Sequence, residues 1–209
     1  MKILFFLIII FLIWLMTRKK IQIERSYYAD TISYSEIYSR CFNRFFENFQ
    51  HLANDIAWYY FQIQEMSMFA LAQTILETAN HKKIIKYIIS KNSSTKEYPT
   101  KNLFCIRYGS KDPAFSNFFR IYIDYESSIE DYVALLSNLN IYRQHIEKLL
   151  KKQTSFENAY REISKKYCPD DEKYFDKVYS IMKNLSTPPL IDTPYREIAL
   201  LKLSDLIKV

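Results

Sequence analysis

Glycine is almost missing from this chain: Gly109 is the only one among 209 residues. With so little glycine, few turns can use an unhindered positive φ, which disfavours an architecture of tight β-hairpins and leaves helices to dominate. Cysteine is scarce as well. Cys41, Cys105 and Cys168 are widely spaced, include no Cys-x-x-Cys pair and have no histidine placed to complete a zinc site, so neither a disulfide framework nor structural zinc is expected. Of the 3 histidines, His81 follows Glu77 at a spacing that puts both on one helical face, but no third ligand is apparent. The expectation is therefore no metal and no cofactor.

What is present describes a folded protein. Apolar residues make up 49% and charged residues 25%, a balance that excludes a disordered or collagen-like chain. The length suits one core with short additions at its ends. A net charge of +6 suits anionic partners in general, yet the lysines are dispersed. Lys82, Lys83 and Lys86, like Lys148, Lys151 and Lys152, read as solvated helix faces, and nucleic-acid binding is not expected.

Ile3 to Met16 is an unbroken apolar run flanked by Lys2 and by Thr17-Arg18-Lys19-Lys20. As a helix it is about 21 Å long, short of a typical hydrocarbon core, with Lys2 and Arg18 able to snorkel and extend its reach. It is either a short anchor or a signal-peptide core. Met16-Thr17-Arg18-Lys19 is bulky and charged and offers no small-x-small cleavage pattern, which favours an uncleaved membrane helix over residues 1–20. The heavier positive charge on its C-terminal flank would by itself keep the following chain inside.

Residues 21–35 read as a polar connector, 36–185 as the domain and 186–209 as a tail with one short helix near Glu197 to Ile207. Phe42, Phe45, Phe46, Phe49, Leu52, Ile56, Tyr59 and Tyr60 recur at helical spacing and predict one or two helices between Ser35 and Phe61. Met68, Leu71, Ala72, Ile75 and Ala79 predict a further helix over Met66 to Ala79 with that stripe in the core. Leu103 to Tyr108 and Phe118 to Ile123 are β-like runs on either side of Gly109-Ser-Lys-Asp-Pro113 and predict one hairpin. Ser127 and Ser128, ahead of Glu130 and Asp131, have capping-box spacing and open a helix, as does Thr154-Ser-Phe-Glu157. Pro169 and Asp170 start the last domain helix, with Tyr174, Val178, Ile181, Met182 and Leu185 inward.

On a helical projection Glu77 falls opposite the Met68 stripe, beside Ala70, Gln73 and Thr74. An ordinary exposed glutamate is one reading. The other is chemical: a carboxylate in the last turn of a helix faces the negative end of the macrodipole, and apolar surroundings add desolvation. Both disfavour its ionised form, and a glutamate that keeps its proton near neutral pH is what a glycosidase general acid requires.

Four segments in register carry a resemblance. Phe69-Ala-Leu-Ala-Gln-Thr-Ile-Leu-Glu77 resembles the Leu-Ala-Gln-Ala-x-Leu-Glu-Ser element of bacterial glucosaminidases, the peptidoglycan-cleaving family that includes flagellar muramidase-like and Bax-type proteins. Asn102-Leu-Phe-Cys-Ile-Arg107 resembles its Asn-Leu-Phe-Gly-Ile-Lys strand. Phe119-Arg-Ile-Tyr-Ile-Asp-Tyr-Glu-Ser-Ser-Ile-Glu-Asp-Tyr132 resembles its Phe-Arg-x-Tyr, Ser-Ile, Asp-Tyr helix entry, and Tyr167-Cys-Pro-Asp-Asp-Glu-Lys-Tyr174 its Tyr-x-Thr-Asp-x-x-Tyr closing motif. The chain departs from the family at Thr78-Ala-Asn-His81, where Ser-Gly-Trp-Gly is common, and at Cys105, where the family has glycine.

The resemblance implies an α+β, mainly α fold: a lysozyme-like helical domain with one small β-hairpin, here preceded by a membrane helix. It implies hydrolysis of β-1,4 bonds in the N-acetylated glycan strands of peptidoglycan, of the endo-β-N-acetylglucosaminidase type. Carried over residue by residue, it makes Glu77 the general acid, lets Asn102 and Phe104 shape the cleft and turns Tyr174 to the substrate from the last helix. Phe104 as core and Tyr174 as packing are the structural alternatives. For a second acid, Glu97, Asp112 and Glu126 are candidates, and substrate-assisted attack by the 2-acetamido group would need none. The implied place is the extracytoplasmic side of a bacterial inner membrane, held there by the N-terminal helix, against the orientation that flanking charge alone favours. The rival implication is an inactive relative that binds glycan or scaffolds envelope proteins.

Overall fold

Two helices come from the apolar residues that recur at helical spacing after Ser35, and Asp55 separates them. The computed structural model describes residues 32–78, 101–107 and 119–187, and the statements below concern these. Helix α1, Tyr34–Phe49, buries Ile37, Tyr38, Cys41, Phe42, Phe45, Phe46 and Phe49 on one face. A 3-10 turn, Gln50–Leu52, follows, and then Asp55 caps helix α2 by accepting a hydrogen bond from the Trp58 backbone N–H at 3.1 Å. Helix α2 runs Ile56–Glu77, so the segment expected to begin at Met66 is the second half of a longer helix; no breaker stands between Ile56 and Met66. Its 22 residues make a rod of about 33 Å. Helices α3 (Tyr125–Asn138), α4 (Asn140–Leu150), α5 (Phe156–Tyr167) and α6 (Tyr174–Asn184) complete the described set.

Helix α2 is the centre of the packing. It touches α1, α6 and α4, while α3 joins α1 to α4 and α5 joins α4 to α6. With neighbours on several sides, every residue from Met66 to Thr74 is buried. The face of Ala70, Gln73 and Thr74, which the projection turned outward, is therefore inside, because a helix apolar nearly all round is buried all round. Phe69 anchors one side of this core: its ring lies 4.7 Å from Tyr160, 5.9 Å from Phe175 and 6.0 Å from Phe156. Only the last turn, at Ile75, Leu76 and Glu77, regains partial exposure.

Local signals placed α3 and α5 to within a turn, while α6 starts at Tyr174 rather than at Pro169 and Asp170. Of its expected inward residues, Tyr174 and Val178 are buried but Ile181, Met182 and Leu185 are only half-buried. At α3 the capping residue is Asp124, which accepts from the Ser127 N–H at 2.7 Å, not Ser127 or Ser128. Ser128 has a tertiary role instead: fully buried, its hydroxyl oxygen accepts from the Leu103 N–H at 3.0 Å. Helix α5 is capped by Ser155, whose hydroxyl accepts from the Asn158 N–H at 3.3 Å. For helix α4 the sequence shows only the solvated lysine face at Lys148, Lys151 and Lys152, although Tyr142, Ile146, Leu149 and Leu150 share one buried face.

The expected hairpin shrinks to one antiparallel bridge between Arg107 and Phe119, with the Arg120 N–H donating to the Ile106 carbonyl at 2.9 Å. Among the described residues no strand forms, and the fold is mainly α. Asp131 on α3 explains the short pairing, because it pulls the second run onto the helix. Its carboxylate accepts two hydrogen bonds at 2.6 Å from the Arg120 guanidinium and another from the Tyr122 hydroxyl. The turn at Gly109 to Pro113, the apolar segment of residues 1–20, residues 79–100 with the basic cluster Lys82, Lys83 and Lys86, and the tail helix lie outside the described residues. Among those described, no helix is long and apolar enough to cross a membrane.

Scarcity of glycine did not keep the backbone out of the left-handed region. Lys101, Cys105 and Lys152 have φ of 45°, 52° and 58°. Lys152 closes α4 as a Schellman motif: its N–H donates to the Leu149 carbonyl at 2.9 Å, and the Gln153 N–H donates to the Lys148 carbonyl at 2.8 Å. A side chain there costs about 1–2 kcal/mol that glycine would avoid.

One carboxyl on α2 carries a pH signature. Burial pushes Glu65 above the ordinary glutamate range, with Glu157 adding to the shift and a hydrogen bond to Gln62 opposing it. A carboxyl raised in the folded state contributes stability below its ordinary value of 4.5, and that contribution is lost as pH rises through the folded value. Glu65→Gln is accordingly expected to be more stable than the native protein at pH 7 and equal to it at about pH 3 in urea unfolding. Equal midpoints at both pH values would reject the burial account.

Candidate active site

The site assembles where α2 ends against the start of α6. Gln73 and Glu77 stand one helical turn apart on α2, and Tyr174, the first residue of α6, puts its hydroxyl between them. That hydroxyl donates to Glu77 Oε1 at 2.6 Å and accepts from Gln73 Nε2 at 3.1 Å. On the far side, the Tyr132 hydroxyl on α3 donates to Gln73 Oε1. Four side chains from three helices thus form one directed series: Tyr132 to Gln73 to Tyr174 to Glu77.

Aromatic packing holds the series rigid. The Tyr132 ring stacks on Phe104 with centroids 3.9 Å apart and planes 7° from parallel, and it meets Phe45 and Tyr167 edge-on. Tyr167 in turn stacks on Tyr174 at 5.9 Å, and its hydroxyl donates to the Phe104 carbonyl. The turn between these two tyrosines is tied by Asp171, which accepts from Lys177 Nζ at 2.6 Å and from the Lys173 N–H at 3.1 Å. The Lys177 ammonium holds the Asp171 carboxyl below the usual carboxylate range. Burial pushes the phenols of Tyr132 and Tyr167 well above their ordinary range, and burial followed by the charge of Glu77 does the same to Tyr174. Each therefore remains a proton donor at any pH the protein meets.

The residues named from sequence occupy different layers. Glu77 and Tyr174 touch, Glu77 being partly exposed and Tyr174 buried. Phe104 has no exposed surface and meets the series through Tyr132 and Tyr167, not through Glu77 itself. The Asn102 side chain is spent on backbone: Nδ2 donates to the carbonyls of Ile106 at 2.8 Å and Arg120 at 3.1 Å, and Oδ1 accepts from the Ile106 N–H at 3.0 Å. It holds the 102–106 turn in shape and fastens it to the 119–123 run. Cys105 lies at the crest of that turn, with Sγ 3.8 Å from the Glu77 carbonyl oxygen. Among the proposed second acids, Glu126 is paired with Arg40 and with Arg44 on α1, while Glu97, Asp112 and also His81 are outside the described residues. No group of three or more His, Cys, Asp or Glu side chains could hold a metal ion among those described.

Backbone geometry shows why glycine suits the position that Cys105 occupies. Its φ of 52° is the left-handed conformation that favours glycine, the residue the family carries there. Cys105→Gly is expected to raise the stability of the protein by up to about 1 kcal/mol, the left-handed cost less the added chain entropy of glycine. Chemical unfolding measures it, and a loss of stability would show that the thiol contact outweighs the backbone term.

Sequence reasoning passed over Gln73, Tyr132 and Tyr167. Each lies within the family-like segments, but only a glutamine inside a mostly apolar helix hints at a buried hydrogen-bond partner. Chemically, the series aims one hydroxyl proton at one carboxyl oxygen. A family model described as mannosyl-glycoprotein endo-beta-N-acetylglucosaminidase matches residues 60–187, the span that holds all four members of the series. No curated protein and no solved structure matches the chain.

Proposed function

We infer the function from one premise: the chain belongs to the glucosaminidase family, a family of glycoside hydrolases. Within that family the best supported reading is a peptidoglycan hydrolase of lysozyme-like helical fold that cuts β-1,4 bonds in glycan strands, with Glu77 as general acid. The observation that carries it is the hydrogen bond from Tyr174 to Glu77 Oε1, which joins two of the family-like segments at a partly exposed carboxyl. Protonated Glu77 gives its proton to the leaving glycosidic oxygen and becomes a carboxylate as the bond breaks. Tyr174, already aimed at Oε1, stabilises the charge that develops and needs no reorganisation to do so. Asn102 and Phe104 support the wall of this cleft. The 2-acetamido group of the substrate serves as nucleophile, in keeping with a Glu126 taken up by arginines. The apolar segment of residues 1–20 tethers the domain on the extracytoplasmic face of the membrane, where the polymer lies.

The test is digestion of purified peptidoglycan by the full chain, with the anomeric configuration read by NMR on the fresh digest and the new ends then reduced and identified by mass spectrometry. New N-acetylglucosamine reducing ends with retained anomeric configuration are expected. Inverted configuration would discard the substrate-assisted step. Binding of the polymer without cleavage would favour an inactive glycan-binding relative, for which the side chains at Thr78 to His81 and Cys105, in place of glycine, already speak.

A further inference from the structure

A tyrosine hydroxyl has one proton to give, and in this site two acceptors compete for it. Tyr174 lies within hydrogen-bond distance of both Glu77 and the Gln73 amide, so the direction of its proton depends on which end of that amide faces it. If Gln73 Oε1 faced Tyr174, the hydroxyl would be drawn to donate to the amide and the carboxylate would lose its donor. The observed arrangement presents Nε2, which can only donate, so Tyr174 accepts from Gln73 and directs its own proton to Glu77. Tyr132 favours this orientation, because with the amide reversed its hydroxyl would only accept from Nε2 and its own proton would lose the Oε1 acceptor. Its hydroxyl donates to Oε1 from a ring clamped between Phe104, Phe45 and Tyr167, and Gln73 is only 2% exposed.

We propose that Gln73, oriented by Tyr132, is a positioning residue that dedicates the Tyr174 proton to Glu77. The proposal rests on Glu77 as the acid for its consequence in catalysis, but its geometry can be tested without turnover. It also accounts for a buried amide on a helix where a leucine would pack with fewer demands.

Gln73→Glu keeps the shape and replaces the donor by a second acceptor, so Tyr132 and Tyr174 both donate to it and the Tyr174 proton is drawn away from Glu77. Gln73→Met removes both hydrogen bonds and leaves Tyr174 only Glu77 to donate to. A merely structural glutamine predicts that methionine is the more harmful change. The proposal predicts the reverse order for catalysis. In peptidoglycan turnover by the full chain, kcat falls by roughly tenfold or more in Gln73→Glu with KM little changed, and falls by less in Gln73→Met.

The readout that needs no turnover is the hydroxyl proton resonance of Tyr174 in full-length protein carrying 13Cζ-tyrosine, assigned with Tyr174→Phe. In the native background Glu77→Gln is expected to shift it upfield, since a neutral amide is the weaker acceptor. In the Gln73→Glu background that response is expected to vanish. Tyr132→Phe, which keeps the ring and removes only the hydroxyl, is expected to weaken it and serves if Gln73→Glu fails to fold. An unaltered response to Glu77→Gln in both backgrounds overturns the proposal, whatever the hydrolytic result. A response lost as expected, in a protein that cleaves no glycan, upholds the relay and rejects the hydrolytic reading instead.

Discussion

Glu77→Gln is expected to lower the rate of glycan hydrolysis by more than about a hundredfold while leaving the fold intact, because it removes the transferable proton and little else. The amide is isosteric with the carboxyl, and its oxygen still accepts from Tyr174, so the end of α2 and the start of α6 remain joined. Thermal unfolding of the variant should lie close to that of the native protein. That pairing of a large kinetic loss with a small stability change is what identifies a proton donor. A structural residue would show the opposite pairing. Equal hydrolysis by both proteins would take Glu77 out of the mechanism, and the family assignment would then need another acid.

Phe69→Ala is the largest stability effect expected. Phe69 is 1% exposed and sits in the all-buried part of α2, with rings from Phe156, Tyr160 and Phe175 closing on it from α5 and α6. Truncating such a side chain costs about 3–5 kcal/mol, a transfer loss plus a cavity that rigid aromatic neighbours fill poorly. For a domain of this size that corresponds to a fall in Tm of roughly 10 °C. A loss below about 1 kcal/mol would mean that α5 and α6 collapse onto the gap, and that the aromatic cluster is softer than its packing implies. The same change should lower hydrolysis only in proportion to the folded fraction, since Phe69 does not touch the Tyr174–Glu77 pair.

The two effects fall on different faces of one helix, which is why α2 was only half legible. Its apolar stripe was evident from periodicity, and the resemblance singled out Glu77. Whether the opposite face was outside or inside depended on which elements pack there, and periodicity says nothing about that. The β-like runs misled for a related reason. Ile121 and Ile123 alternate as a strand would, but both are exposed, and the inward residues are Arg120 and Tyr122, held by Asp131 rather than by a neighbouring strand. Near-absence of glycine was likewise a poor guide to φ, since a left-handed residue costs only about 1–2 kcal/mol and a folded core can carry three of them.

By itself the sequence determined what depends on neighbours along the chain: a helical protein, helix starts near Asp124 and Ser155, a carboxyl at the end of an apolar helix and the family to which that helix belongs. Tertiary structure alone decided the chemistry around the carboxyl. Tyr132 lies 59 positions from Gln73, and Tyr174 lies 101 positions from Gln73 and 97 from Glu77. Their hydrogen bonds exist only because α3 and α6 converge on one turn of α2. A proton can be aimed only by atoms in contact, and contacts across such separations are written in packing, not in local pattern.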